Sequence, residues 1–460
     1  MTTSMSQHFT MPALLKFVAP SIAMAIFASL YSIVDGVFVS NFAGKTALAA
    51  VNLIYPFIMI LSATGLMVGT GCSALVAKTR GEGDEERANR IFSMLVLFAL
   101  ILGVALTVVG YLVIEPVAAG LGATGPMLDD ALLYGRMLLA TLPFFILQFA
   151  FQSLFVTAGK PQLGFVVIVA AGVTNMVLDA LFVGALGWGL AGAALATNIG
   201  EIVGGGLPLA YFLRKNSSAL RLRPTRLQLR PLGKACLNGS SEMVSNVAMS
   251  LVSMLYNFQL LAFLGEDGVA AYGVIMYTAM IFAAVFMGFA MGSAPLMSFQ
   301  YGARNHREMR SLLKKSLLFV AVGGVAMFAA GELLAEPLAL IFVSYDASLT
   351  ELTVHGYRLY SFAFLIMGFS IFGSSFFTAL NNGVVSAIIA FLRTLVFETS
   401  SVILLPMVLG VDGIWLSVTV AELAAVTVMT GFMLALGRHY GYLGPLPPDP
   451  SRRKPIEEAA

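Results

Sequence analysis

Residues 91–114 read IFSMLVLFALILGVALTVVGYLVI, with no charged side chain among them. At about 1.5 Å of rise per helical residue, such a run crosses the roughly 30 Å hydrocarbon layer of a bilayer. Arg87 and Arg90 flank it on one side and Glu115–Pro116 on the other. The pattern recurs along the chain. Twelve spanning helices are expected, over 17–40, 48–77, 91–114, 131–158, 162–184, 189–213, 236–264, 269–299, 312–333, 354–380, 384–408 and 411–437. Proline recurs inside them at Pro20, Pro56, Pro143, Pro208 and Pro295. In lipid such kinks are tolerated, because neighbouring helices can satisfy the freed carbonyls.

Composition agrees. Of 460 residues, 58% are hydrophobic and 11% charged, where a soluble domain carries about 25% charged residues. Mean hydropathy is +0.89. The net charge of +2 offers no steering field for nucleic acid. Cys72 and Cys236 lie in or beside apolar segments and read as small core residues, with neither a disulfide framework nor metal-ligand spacing. Residues 1–16 are too polar for a cleavable signal, so the run from Phe17 reads as a retained anchor. No phosphate-cradling G-x-x-x-x-G-K-[ST] loop is present, and the four histidines form no metal pair. No catalytic constellation supports an enzyme, and no resident cofactor is expected.

The Glu115–Pro116 pair returns as Glu336–Pro337, at an offset of 221 residues. The same offset matches Gly71 with Gly292, Gly81 with Gly302, Gly135 with Gly356, and Gly189, Gly192 and Glu201 with Gly410, Gly413 and Glu422. Phe151, Ser153, Phe155, Thr157 and Ala158 match Phe372, Ser374, Phe376, Thr378 and Ala379. Six helices per copy is an even number, so both copies share one topology. The expected fold is an all-α integral membrane protein of twelve transmembrane helices in two six-helix lobes, related by a pseudo-two-fold axis along the membrane normal. The units are residues 1–213 (first lobe), 214–234 (basic cytoplasmic linker), 235–437 (second lobe) and 438–460 (cytoplasmic tail).

Orientation follows from lysine and arginine. One set of loops and the termini hold 22 of the 26 basic residues, seven of them between Arg214 and Lys234. The opposite loops hold Lys45 against Glu115, Asp129, Asp130, Glu266, Asp267, Glu336 and Asp346. Both termini are expected in the cytoplasm of a prokaryotic cell, with the chain in its inner membrane.

Positions where one copy alone is polar break the repeat. Charge within hydrocarbon is expensive and marks function. Asp35 lies in helix 1 and Asp179 in helix 5, each roughly 8 Å from the outer surface by helical rise, and Asp179 is matched by Ser400. Asn175 shares a face with Asp179 one turn away. Thr197 in helix 6 lies roughly 12 Å deep, and Tyr31 is one turn from Asp35. Two carboxylates in a dry pocket cannot both ionise cheaply and titrate as a coupled pair, which suits a proton site; the same oxygens suit Na⁺. Two carboxylates near helix ends that simply meet water are the alternative. Glu201 and Glu422, being duplicated, read as inter-helix hydrogen-bonding residues. Glu242 with Arg393 and Glu398 forms a candidate ion-pair group in the second lobe, and Gln148 with Gln152 a candidate cavity lining. The 24 methionines and 34 phenylalanines suit apolar binding but equally any membrane core.

The run PSIAMAIFASLYSIVDGVFVSNFAGKTALAAVNLIYP, residues 20–56, together with Asn175-x-x-x-Asp179 and Thr197, resembles the multidrug and toxic compound extrusion (MATE) family. The similarity spans nearly the whole chain and is greatest to its prokaryotic branch of DinF-like and MepA-like proteins. The resemblance implies H⁺- or Na⁺-driven antiport of small amphipathic, often cationic, compounds. It also implies a cation site at Asp35, Asn175, Asp179 and Thr197, and bending of helix 1 at Pro20. The acidic pair that other branches carry in the second lobe is not evident: Glu242 supplies one half, but the segment 354–380 holds only Arg358. A monomer is expected, with the lipid bilayer as its surroundings and no nucleic-acid partner. The runner-up is a two-lobe flippase for a lipid-linked oligosaccharide. That reading calls for a cationic central cavity, and only Arg136, Arg358 and Arg393 lie in or near helices.

Overall fold

The computed structural model describes residues 5–42, 45–344 and 346–444; the side chains of residues 32–33, 35–42, 45–46, 48 and 266 lie outside the description. The described residues contain helices and no strand. Six form the first lobe: α1 (Met11–Phe42), α2 (Lys45–Gly81), α3 (Glu85–Gly120), α4 (Pro126–Thr157), α5 (Pro161–Ala185) and α6 (Gly189–Leu213). Six form the second: α7 (Leu229–Gly265), α8 (Asp267–Gly302), α9 (His306–Val343), α10 (the pair Ala347–Ser361 and Phe364–Ala379), α11 (Gly383–Leu409) and α12 (Val411–Leu436). The chain is thus a multi-pass membrane protein with the expected twelve spans.

The helices outrun the apolar segments because polar residues cap them outside the lipid. Asp84 accepts from the Arg87 N–H at 2.9 Å, and Glu85 and Glu86 complement the helix dipole of α3. The repeat-related Asn305 does the same for α9, accepting from the Glu308 N–H at 3.1 Å. Pro126 and Pro161 open α4 and α5, where the missing N–H costs nothing. Gly265 separates α7 from α8 at φ 63°, ψ −150°, a conformation closed to residues with a side chain.

The expected segment 354–380 is not one straight helix. Its two halves meet at 47° around residues 362–363. Ser361 Oγ donates to the Arg358 carbonyl at 2.8 Å and contacts Glu332 Oε1 of α9 at 2.6 Å. A serine hydroxyl bonded back to its own helix competes with the backbone ladder and bends it.

Two hydrophobic cores follow the two lobes. Repeat-related rings sit at equivalent places: Phe151 and Phe155 are 6.2 Å apart in the first lobe, Phe372 and Phe376 6.1 Å apart in the second. One segment crosses over. Met5, Phe9, Leu14, Phe17 and Val18 are buried in the second core. There the Phe9 N–H donates to Glu308 Oε1 at 2.9 Å and Gln300 Nε2 donates to the Met5 carbonyl at 2.8 Å. The linker is docked rather than loose. The Arg221 N–H donates to Asn89 at 2.7 Å and the Arg223 N–H to Ser93 at 2.8 Å, both on α3. Its last residues, from Leu229, already belong to α7.

The lobes join at the basic end, and the join is reciprocal. A Cβ on Gly81 would lie 2.0 Å from the Phe299 carbonyl oxygen, and one on Gly302 would lie 2.0 Å from the Lys78 carbonyl oxygen. Residues 78 and 299, like 81 and 302, are repeat mates. Residue i meeting j while j's mate meets i's mate is the signature of a two-fold axis. Gly71 and Gly239 let α2 and α7 cross backbone to backbone, and Gly288 and Gly292 seat α1 on α8. Ser298 adds a 2.6 Å hydrogen bond to the Ala74 carbonyl. Gly302→Ala is expected to lower stability by about 1–3 kcal/mol through overpacking. Gly233→Ala, whose Cβ meets nothing within 4 Å, is expected to leave it unchanged. Denaturant midpoints of the two variants check this.

Candidate functional site in the first lobe

Three helices converge on the polar group of the first lobe. α5 carries Asn175 and Asp179, which are 4% and 0% exposed. Directly after Asp179 the helix widens into a π-turn over Ala180–Ala185, in which the Leu186 N–H reaches back five residues to Leu181 at 2.8 Å. Such turns add a residue to the helical circuit and recur at functional sites. Asn175 Nδ2 approaches Thr197 Oγ1 of α6 at 3.5 Å, while that hydroxyl donates to the Ala193 carbonyl at 3.0 Å. Gly200 makes this approach possible, since a Cβ there would lie 3.2 Å from the Asn175 Cβ.

α1 reaches the group through Tyr31. Its ring, beside that of Phe27, packs on Gly172, one turn before Asn175. Asp35 follows one turn later in α1, and its side chain lies outside the described residues. Pro20 lies inside α1 at the opposite end, next to Ser21 and Ile22, which meet Gly288 of α8. The structure therefore brings Asn175 and Thr197 together, with Tyr31 on the turn before Asn175 and Asp179 on the turn after it, and α1 connects this group to the contact between lobes. The site's donors are carboxylate, amide and hydroxyl oxygens, a set that suits a proton or a hard cation.

The second lobe is organised differently. Arg393 donates through Nε and Nη2 to Glu422 Oε1, both at 2.7 Å, and Ser370 Oγ donates to Glu422 Oε2. Arg393 was expected to pair with Glu242 and Glu398. They feel its field, but its hydrogen-bonded partner is Glu422. Arg393 and Glu398 both lie in a second π-turn, Leu392–Glu398. Gln148 is buried against Gly204 of α6, at the α4–α6 contact, while Gln152 is half-buried. Thr141 and Ser370, which meet the duplicated glutamates Glu201 and Glu422, carry no signal in the sequence beyond being polar in an apolar run.

The sequence profile described as MatE matches residues 20–181 and again residues 242–403, so the two matches mark the internal repeat. The multidrug export protein MepA of Staphylococcus saprophyticus is 24% identical over 410 residues, covering 87% of each chain. Its counterpart in Staphylococcus aureus is 22% identical over 415 residues, covering 89% of this chain and 90% of that protein. A solved structure described as the outward-facing conformation of a multidrug resistance MATE family transporter of the MOP superfamily superposes with a TM-score of 0.87. It is 24% identical and covers 93% of this chain and 97% of its own. With twelve spans, a two-fold repeat and a family profile filling both halves, the chain belongs to the MATE family of membrane transporters.

Proposed function

We propose that this chain is a multidrug exporter of a prokaryotic inner membrane, driven by inward flow of H⁺ or Na⁺ and working as a monomer without a resident cofactor. Its substrates are small amphipathic, often cationic, compounds. One observation carries the reading: Asp179 is wholly buried in the half of the first lobe away from the basic end, while the lobes are sealed together at the basic end. By the positive-inside rule that seal faces the cytoplasm. We read the ion as entering from the side away from this contact, which holds the lobes together on the cytoplasmic side.

Binding of an ion at Asp179, with Asp35, changes the charge of the first lobe. It shifts the balance between outward- and inward-open states only if the two states bind the ion with different affinity. α1 is placed to couple the two events. It packs on α5 at Gly172 near the site and on α8 at Gly288 near the seal. Beside the second contact, Pro20 leaves the Lys16 carbonyl without its helical N–H, a point where a helix bends cheaply. The flippase alternative finds less support. Arg136 faces Glu115 at 3.5 Å, Arg358 faces Glu332 at 4.0 Å and Arg393 is bonded to Glu422, so each arginine is matched within its own lobe.

Ethidium efflux from reconstituted vesicles, under an imposed pH gradient and separately under a Na⁺ gradient, tests the proposal. Transport driven by one gradient names the ion. Absence of transport under both turns the reading toward lipid substrates.

A further inference from the structure

Residues 5–10 precede α1 and lie where the lobes meet at the basic end: Met5 touches Gln300 of α8 and Arg80 of α2. The grip on the second lobe is close. Glu308, buried at the start of α9, accepts the Phe9 N–H on Oε1 at 2.9 Å and meets His8 Nδ1 with Oε2 at 2.6 Å. Lys315, two turns further along α9, donates to the Phe9 carbonyl. Gln300 Nε2 donates to the Met5 carbonyl at 2.8 Å. Hydrogen bonds with a charged partner, such as those of Glu308 and Lys315, are the strong ones. The Phe9 ring is wholly buried and stands edge-on to Phe17 of α1, centroids 5.8 Å apart.

Towards the first lobe the contact is of another kind. Met5 Sδ lies 4.0 Å from Arg80 Nη1, and that guanidinium is anchored in its own lobe by donating to the Thr157 carbonyl at 2.9 Å. A thioether is a weak acceptor that adapts to irregular surfaces, so this contact can part without stranding a charge. The repeat shows what it adds. Arg80 is the repeat mate of Tyr301. Tyr301 lies under Lys78 of the opposite lobe, 5.2 Å from ring centroid to Nζ. Arg80 instead meets Met5, a residue held by the opposite lobe. Both mates thus help to close the basic end.

We propose that residues 5–10 are a strap on the cytoplasmic seal. They ride with the second lobe, clasp Arg80 of the first while the seal is shut, and let go of it when the lobes part. The proposal rests on the reading of the chain as an exporter whose lobes move. The strap runs straight into α1, whose first turn closes with the Leu14 N–H on the Thr10 carbonyl at 2.9 Å. The other end of α1 reaches the candidate ion site through Tyr31, so clasp and site stand at opposite ends of one helix.

Spin-label distances in the full chain in lipid test it, with Cys72 and Cys236 replaced by alanine. Labels go in pairs on cysteines at the exposed positions Gln7, Glu86 and Lys314, which report the strap, the first lobe and the second. Gly302→Leu wedges the seal, because a Cβ there already lies 2.0 Å from the Lys78 carbonyl oxygen. The Glu86–Lys314 and Gln7–Glu86 distances are expected to lengthen together, and Gln7–Lys314 to stay as it was. If the lobes part while Gln7–Lys314 lengthens or Gln7–Glu86 stays short, the strap is overturned and the moving lobes stand. Lobes that stay together under the wedge overturn both. Met5→Ala removes the clasp alone. Without the wedge it is expected to raise the long-distance Glu86–Lys314 population a few-fold, and Met5→Leu, which restores the volume, to bring it back. A distribution unmoved by Met5→Ala, or not restored by Met5→Leu, overturns the clasp, and these arms decide the matter if Gly302→Leu does not fold.

Discussion

Asp179→Asn is expected to reduce gradient-driven dye efflux by on the order of 5–150-fold, the range of coupling energies that link two binding events in one protein. The substitution keeps size and shape, and Asn can meet the same neighbours. It cannot gain or lose a proton, and it lacks the charge that would hold Na⁺. Dye binding in the absence of a gradient should survive, because only the link between ion and drug is cut. Equilibrium dye binding measured beside vesicle efflux separates the two effects. Asp35→Asn is expected to behave in the same way. Efflux in Asp179→Asn equal to that of the unsubstituted chain would refute the role given to this site.

The site's neighbours grade the effect. Thr197→Val removes a hydroxyl whose contact with Asn175 is long, 3.5 Å, and is expected to weaken efflux only a few-fold, by roughly the 0.5–1.5 kcal/mol of one hydrogen bond. Gradient-driven initial rates check it. An effect as large as that of Asp179→Asn would make Thr197 a direct ion ligand.

What could be read from the sequence was set by periodic hydrophobicity and by glycine. The run 91–114 needs no partner to declare itself a span, and Gly81 and Gly302 mark the two-fold contact because only a residue without a Cβ fits there. Asn175 and Asp179 were legible because four residues of regular helix separate them. The reading fails where helical geometry itself changes. Arg393 and Glu398 read as one polar group with Glu242, but α11 widens into the π-turn Leu392–Glu398 and the arginine's hydrogen-bonded partner is Glu422 on α12. The bend at residues 362–363 was hidden for a related reason: Ser361 bends α10 through its bond to Arg358 and its contact with Glu332, the latter a tertiary partner that no local pattern records. The opening of α1 was assigned to its own lobe, yet Phe9 and Phe17 bury themselves in the other, since apolar character does not say which core a residue enters.

Arg393→Met is expected to destabilise the second lobe by about 3–5 kcal/mol, the cost of breaking a buried ion pair from one side. Glu422, 3% exposed, would keep its charge and lose both arginine hydrogen bonds, and Ser370 alone does not compensate. The double variant Arg393→Met with Glu422→Gln is expected to recover most of the loss, because a neutral pair of similar volume leaves no uncompensated charge. Denaturant unfolding in lipid or detergent, carried out on both variants, measures the difference. A loss below about 1 kcal/mol for Arg393→Met would mean that the pair is solvated well enough to behave like a surface salt bridge.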